Sequence, residues 1–129
     1  MRSLVVVDDD EDFQDLIAAE FSLDSRFSVA GVSASAEDAF EMAQANQAAL
    51  VVLDDHLHGR LTGLEAARIF KDVAPQLKVI LFTAYPELRE AAEAEPAVDA
   101  FVLKSDSRQL LRVAQQVLGL EGEAAFPSR

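Results

Sequence analysis

Two apolar runs in this chain end abruptly in carboxylates. Residues 4–10 read LVVVDDD and residues 50–55 read LVVLDD. Continuous Val and Leu runs of this length indicate strands that are buried on both faces of a parallel sheet. Carboxylates at the ends of two such strands would lie close together and repel, so that one takes up a proton or the site binds a cation. The pattern predicts an acidic, metal-binding pocket at one edge of an α/β sheet.

Apolar runs alternate with amphipathic stretches along the whole chain. We predict strands over Leu4–Val7, Phe27–Val32, Ala49–Leu53, Val79–Thr83 and Ala100–Leu103. Apolar residues at helical spacing predict a helix after each strand. The third helix should stop before Pro75, the fourth should run from Pro86 to near Pro96, and the fifth should end at Gly119. Five βα units in series predict a parallel sheet with helices on both faces.

Polar side chains stand where some of these helices should begin. Residues 35–38 read SAED, which predicts a capping box at the start of the second helix. Asp10 and Asp12 are expected to stabilise the start of the first helix, because Asp is favoured at helix N-termini. Asp55 is expected to be a solvated loop acid.

Composition narrows the class of protein. The 129 residues suit one domain, which we place at 1–120, with 121–129 as a polar tail or the start of a linker. The net charge of -12 argues against direct binding of nucleic acid or of an anionic membrane. The absence of Cys excludes disulfides and thiolate catalysis. With no apolar stretch long enough to cross a membrane and no signal peptide, we expect a cytoplasmic protein.

Four strand ends carry polar side chains. Asp8 and Asp9 follow the first strand and Asp54 the third, Thr83 ends the fourth, and Lys104 follows the fifth. Ligands of open α/β sheets bind at this edge. Carboxylates suit Mg²⁺, a hydroxyl and an ammonium can donate to phosphoryl oxygens, and a carboxylate can accept a phosphoryl group as a nucleophile. The set therefore predicts phosphoryl chemistry.

Four motifs follow one another along the chain, in residues 5–10, 51–54, 81–84 and 101–104. None of them identifies a protein family alone, but their order and spacing together do. On these motifs the chain resembles the receiver domain of bacterial two-component response regulators, over roughly Leu4 to Leu118. The resemblance implies a flavodoxin-like, doubly wound sheet of five parallel strands in the order 2-1-3-4-5, with five helices in a three-layer arrangement. It also implies that the protein is a signalling switch and not an enzyme that turns over a substrate.

The resemblance implies a role for each site residue. Asp54 would accept the phosphoryl group from a histidine kinase or a phosphotransfer protein. Asp9 would bind Mg²⁺ directly and Asp8 mainly through water, with the backbone carbonyl of His56 as a further ligand. Mn²⁺ is expected to substitute for Mg²⁺.

Thr83 and Lys104 would hold the phosphoryl oxygens, and Phe101 would be the aromatic switch residue. The fourth helix, fifth strand and fifth helix would form the output surface and a homodimer interface. We expect no effector domain in these residues. A stand-alone receiver that binds a partner would fit this, but the tail favours a domain excised from a transcription regulator.

The chain departs from the family pattern at two places. His58 stands where the family usually has Pro after the acceptor strand, and Ser105 stands where it usually has Pro after Lys104. Receivers commonly have a cis bond at the latter place, and a non-proline cis bond is costly, so a different geometry is expected there. His56 and Tyr85 occupy positions that tune phosphate lifetime in the family.

Four other functions remain open. A receiver-like dimerisation module would not be phosphorylated. A phosphatase of the haloacid-dehalogenase kind would need an acid where His56 stands. A flavin or dinucleotide carrier would need a glycine motif that is missing here. A transition-metal site at His56 and His58 lacks further ligands at zinc-like spacing.

Overall fold

The computed structural model describes residues 1–120, which contain one five-stranded parallel sheet. The strands are β1 Arg2–Val7, β2 Phe27–Ser33, β3 Leu50–Leu53, β4 Lys78–Thr83 and β5 Ala100–Leu103. Their order in the sheet is β2-β1-β3-β4-β5. All five predicted strands are confirmed with small differences at their ends, and the flavodoxin-like topology is confirmed with them.

Five α-helices cover the sheet, and two of them follow short 3-10 segments. The helices are α1 Glu11–Phe21, α2 Ala36–Ala45, α3 Gly63–Val73, α4 Arg89–Glu93 and α5 Leu110–Val117. The 3-10 segments are Pro86–Leu88 and Lys104–Gln109. The third helix stops before Pro75 as predicted. Gly119 has a φ of +71° just after α5, which confirms the predicted glycine cap.

The predicted helix starts are confirmed in part. Asp10 caps α1 by accepting a hydrogen bond from the Asp12 N–H at 2.9 Å. The Ser35 hydroxyl accepts from the Asp38 N–H at 3.4 Å. The reciprocal bond of a capping box is not formed there, so that prediction was half right.

The fourth helix is shorter than predicted. It was expected to run to near Pro96, whereas α4 ends at Glu93. Glu95 is engaged elsewhere, since its carboxylate accepts from the Ala97 N–H at 3.0 Å and pairs with the Arg68 guanidinium. Acidic side chains at a helix C-terminus also oppose the helix dipole. The last predicted turn therefore does not form.

Alternate residues of β1 explain why helices cover both faces of the sheet. Val5 and Val7 pack on the side of α2, α3 and α4, and Leu4 and Val6 pack on the side of α1 and α5. All four side chains are fully buried. Because burial of each contributes roughly 1.5–3 kcal/mol, β1 is a central element of both cores. The result is the predicted three-layer α/β/α arrangement.

None of the helices within residues 1–120 is both long enough and apolar enough to cross a membrane. The predicted tail, 121–129, lies outside the described residues, so the boundary placed at residue 120 stays a prediction.

A buried ion pair ties the loop after α1 to α5. Asp24 is only 2% exposed, and the Arg26 Nε and Nη2 atoms donate to its carboxylate at 3.0 and 2.7 Å. Gln115 of α5 donates to the same carboxylate at 3.0 Å. The hydrogen bonds from Arg26 lower the pKa of Asp24 to about 2, against the opposing effect of burial.

We predict that Asp24→Asn lowers the free energy of unfolding by about 2 kcal/mol at neutral pH, since one pKa unit corresponds to about 1.4 kcal/mol. Because the pKa of Asp24 is lower in the folded protein than in the unfolded chain, its ionised form stabilises the fold fully at pH values above the unfolded pKa near 4. This contribution is lost as the pH falls through about 2. Urea titrations of both proteins between neutral pH and about pH 2 measure the difference. A difference that stays constant over this range would contradict the prediction.

Candidate functional site

Two buried carboxylates lie side by side at the ends of β1 and β3. Val7 pairs with Leu53 in the parallel register, and the Asp54 N–H donates to the Val7 carbonyl at 2.9 Å. Asp8 and Asp54 are 1% and 4% exposed. The chain winds outward in opposite directions from these two central strands, which is where open α/β sheets bind ligands.

Lys104 reaches both carboxylates from the end of β5. Its Nζ lies 2.8 Å from Asp8 Oδ2 and 3.1 Å from Asp54 Oδ2. The same nitrogen lies 4.1 Å from the centroid of the Phe13 ring, which adds a cation–π contact. The strand ends thus come together as predicted. Phe13 belongs to α1, and nothing in the sequence marks its contact with Lys104.

The charges at this site are unbalanced. Burial is the largest influence on Asp8 and raises its pKa, against the lowering effects of Lys104 and of the Asp10 N–H. Burial alone would lower the pKa of Lys104, but the contacts with Asp8 and Asp54 outweigh it, and the pKa is raised. One ammonium therefore serves two buried carboxylates, which leaves an excess of negative charge.

The acidic residues at this edge suit a divalent cation. One oxygen from each of Asp8, Asp9 and Asp54 lies within 4.8 Å of the others. The buried Asp8 Oδ2 accepts no well-directed hydrogen bond within residues 1–120, although it is in ionic contact with Lys104. Asp9 is exposed, so a cation can reach the cluster from solvent. Hard cations such as Mg²⁺ take carboxylate oxygens together with water, and these residues fit one.

An open cavity of about 270 Å³ lies over the cluster. Asp9, Asp54 and Lys104 line it. The rings of His56 and Tyr85 also line it, and they stack with 4.5 Å between their centroids. Asp54 is thus a buried carboxylate that still faces a space large enough for a small polar ligand.

Two of the predicted residues make their contacts with residues other than the clustered carboxylates. Thr83 is fully buried at the end of β4, and its hydroxyl accepts from the Tyr85 N–H at 3.3 Å. Phe101 is half-buried on β5, with the Arg89 guanidinium carbon 4.7 Å from its ring centroid. In the described part of the chain, no hydrogen bond joins Thr83 to Asp54.

The loop after β3 contains polar contacts that were not predicted. Asp55 is half-buried and lines an open cavity, and its Oδ1 accepts from the Leu64 N–H at 3.1 Å, so this loop acid is only partly solvated. Thr62 and Glu65 form a full capping box at the start of α3. Residues 62–65 read TGLE, so the sequence did carry the signal for this cap.

Gly63 allows α3 to begin against the end of β3. A Cβ atom on this residue would lie 2.3 Å from the carbonyl oxygen of Asp54 and 2.8 Å from the Cα of Asp55. Neither backbone atom can rotate away, so any other residue would displace the loop. The sequence of the loop after β3 does not indicate this close approach of Gly63 to the backbone of Asp54.

The two departures from the family pattern have different consequences. The His58 N–H donates to the Ala34 carbonyl at 3.0 Å, a bond that proline could not make. At the other position, the bond between Lys104 and Ser105 is trans, as are all peptide bonds in residues 1–120. This agrees with the expectation that Ser105 gives a geometry different from the common one.

A family model described as the response regulator receiver domain matches residues 4–115. The chain belongs to this family, so it is a receiver domain of two-component systems, and the predicted resemblance is confirmed.

The chain is 31% identical over 124 residues to the response regulator protein VraR of Staphylococcus epidermidis. This match covers 95% of the chain but 58% of that relative, so the chain spans less than two thirds of the length of the curated relatives it matches.

Solved structures give the same result. A DNA-binding response regulator of the LuxR family from Staphylococcus aureus is 27% identical, with a TM-score of 0.78, over 91% of this chain and 98% of that one. TrrA from Thermotoga maritima, in complex with Mg²⁺-BeF, is 26% identical, also with a TM-score of 0.78, over 91% of this chain and 99% of that one.

We predict that Lys104→Met lowers the free energy of unfolding by about 3 kcal/mol without divalent cations, because it leaves two buried carboxylates unpaired. Mg²⁺ should then bind more tightly than to the wild type and restore much of the loss, since the ammonium no longer competes with it. Urea unfolding with EDTA or with Mg²⁺ measures both effects.

Lys78→Met is the matched control, because Lys78 begins β4 and so lies at the opposite edge of the sheet. It should change neither the Mg²⁺ affinity nor the Mg²⁺-dependent stability. Equal stabilisation of wild type and Lys104→Met by Mg²⁺ would contradict the assignment.

Proposed function

We propose that this receiver domain is a phosphorylation-dependent switch in which Asp54 accepts a phosphoryl group from a histidine kinase or a phosphotransfer protein. The observation that supports this most strongly is the Lys104 ammonium, which lies between the carboxylates of Asp8 and Asp54. A buried cation beside a buried carboxylate offers both a nucleophile and a donor for the transferred group.

Among the three clustered carboxylates, Asp54 is best placed to act as the nucleophile. It lines the cavity together with Lys104, whereas Asp8 does not line that cavity and Asp9 is exposed. Its Oδ1 accepts from the Asp55 N–H at 2.8 Å, which fixes the orientation of the carboxylate. Asp54 therefore combines accessibility with a defined geometry.

In the proposed reaction, a carboxylate oxygen of Asp54 attacks the phosphorus of a phosphorylated imidazole. A P–O bond forms and the P–N bond breaks, the electron pair stays on the imidazole nitrogen, and Asp54 becomes an acyl phosphate. Lys104 donates to a phosphoryl oxygen as the charge moves toward Asp54. Such transfer requires mainly positioning and charge neutralisation, which these residues provide.

Asp8, Asp9 and Asp54 would hold Mg²⁺, with the main-chain carbonyl of His56 as a further ligand. The bound cation would neutralise the phosphoryl oxygens. The cluster of three carboxylate oxygens and the under-satisfied Asp8 Oδ2 support this assignment. Substitution by Mn²⁺ stays a prediction.

The conformational response would pass through Thr83 and Phe101. Thr83 would exchange its bond with the Tyr85 N–H for one to a phosphoryl oxygen, and the ring of Phe101 would turn inward. Cavities of about 220 and 190 Å³ border the Phe101 ring, which gives it space to move. Phosphorylation would then shift a two-state equilibrium at the surface formed by α4, β5 and α5.

The output of the switch would arise at the surface of α4, β5 and α5. The surface of α4, β5 and α5 would bind a second copy of the domain, and in a longer protein the result would be transcription regulation. The domain itself would not bind nucleic acid, because its net charge is -12. It would act once per phosphorylation and not as a turnover enzyme.

We predict that acetyl phosphate with Mg²⁺ adds one phosphoryl group to the wild type, detected by intact-protein mass spectrometry. Asp54→Asn should abolish the addition, because the amide is not a nucleophile. Asp12→Asn, which removes an exposed acid of α1, is the matched control and should be labelled like the wild type.

Equal labelling of Asp54→Asn and wild type would show that the acceptor is another residue. No labelling of the wild type, together with a dimer detected by light scattering, would favour a dimerisation module that is not phosphorylated. Continuous hydrolysis of an aryl phosphate would instead indicate a phosphatase.

A further inference from the structure

A second open cavity, of about 280 Å³, adjoins the one over Asp54. Asp9 and His56 line both cavities, so the two spaces meet at these residues. The second cavity is otherwise formed by the loop after β3 and includes Arg60. A molecule whose phosphoryl group lies beside Asp54 can therefore extend its other half toward Arg60.

Arg60 is exposed, and within residues 1–120 its side chain forms no hydrogen bond or ion pair. The cation of the neighbouring cavity, Lys104, is held between Asp8 and Asp54. Of the two Lys and Arg residues that line these cavities, Arg60 is thus the one that is free, within residues 1–120, to bind an anion from solution.

The loop positions Arg60 between two anchored residues. On one side the His58 N–H donates to the Ala34 carbonyl at 3.0 Å. On the other side Thr62 begins the capping box of α3. Arg60 lies two residues from each anchor, so the backbone at Arg60 is held beside the cavity that this residue lines.

We infer that Arg60 binds the leaving group of acyl phosphates, so that the domain favours phosphodonors that leave as a carboxylate over those that leave as an amine. This inference rests on the proposed function, because it concerns phosphoryl transfer to Asp54. The planar guanidinium pairs with a carboxylate through two parallel hydrogen bonds.

Two small donors differ in the charge that they place near Arg60. With acetyl phosphate, a P–O bond forms to Asp54, the bond between phosphorus and the acetyl oxygen breaks, and the electron pair leaves on acetate. With phosphoramidate, the P–N bond breaks and the already protonated nitrogen leaves as neutral ammonia. Arg60 stabilises the developing charge of acetate and gains nothing from ammonia.

The test compares both donors on wild type, Arg60→Ala and Arg60→Lys at one Mg²⁺ concentration, with the phosphorylated fraction followed over time by mass spectrometry. Arg60→Ala should lower the second-order rate constant for phosphorylation by acetyl phosphate roughly three- to tenfold, as expected for a partly exposed charge-assisted contact. The value for phosphoramidate should change less than about twofold. Arg60→Lys should restore part of the loss.

Lys78→Ala is the control, since Lys78 begins β4 at the opposite edge of the sheet and its loss changes the net charge equally. It should leave the ratio of the two donors unchanged. The inference is overturned if Arg60→Ala lowers the second-order rate constant of phosphorylation equally for both donors, or lowers neither. If neither donor phosphorylates the wild type at Asp54, the proposed function fails, and this inference fails with it.

Discussion

The ion pair that Lys104 makes with Asp8 and Asp54 joins three separate strands at one point. It requires β1, β3 and β5 to end at the same edge, and the central position of β1 and β3 provides this. The three side chains are almost completely buried, so the contact is poorly screened by solvent. The site depends on this contact, and the contact depends on the order of the strands.

The contact between Lys104 and the two carboxylates leaves an excess of negative charge at the site. One ammonium cannot neutralise two buried carboxylates, and the exposed Asp9 adds further negative charge beside them. A divalent cation and a phosphoryl group would resolve the imbalance together, because the first brings positive charge and the second supplies oxygens to Lys104. Under the proposed function, the receiver domain keeps a site whose charge is unbalanced until a cation and a phosphoryl group bind, which would be a physical basis for a switch.

Much of the fold was predictable because its signals are local and repeated. Each buried strand is a short apolar run, and the polar residue after it marks the functional edge, as at Asp8, Asp54 and Lys104. The length of α4 was overestimated, since one of the contacts that withdraw Glu95 from the helix comes from Arg68 of α3, which is 27 residues away. Composition favoured a longer helix, and tertiary contacts ended it.

The supporting contacts of the site were harder to predict. The close approach of Gly63 to the carbonyl of Asp54 depends on how α3 packs, and the contact of Phe13 with Lys104 joins residues far apart in the chain. Neither leaves a pattern in the sequence. The capping box at Thr62 does have a sequence pattern, but such a short pattern predicts a cap only when the start of the helix is already known.

The most direct test of this account is a crystal structure of the domain with Mg²⁺ and beryllofluoride. The account predicts beryllium on a carboxylate oxygen of Asp54, the cation beside Asp8 and Asp9, and the Lys104 ammonium donating to a fluorine. If beryllofluoride were bound away from Asp54, or if Lys104 still lay between Asp8 and Asp54 with no contact to the fluorines, the central claim would be contradicted.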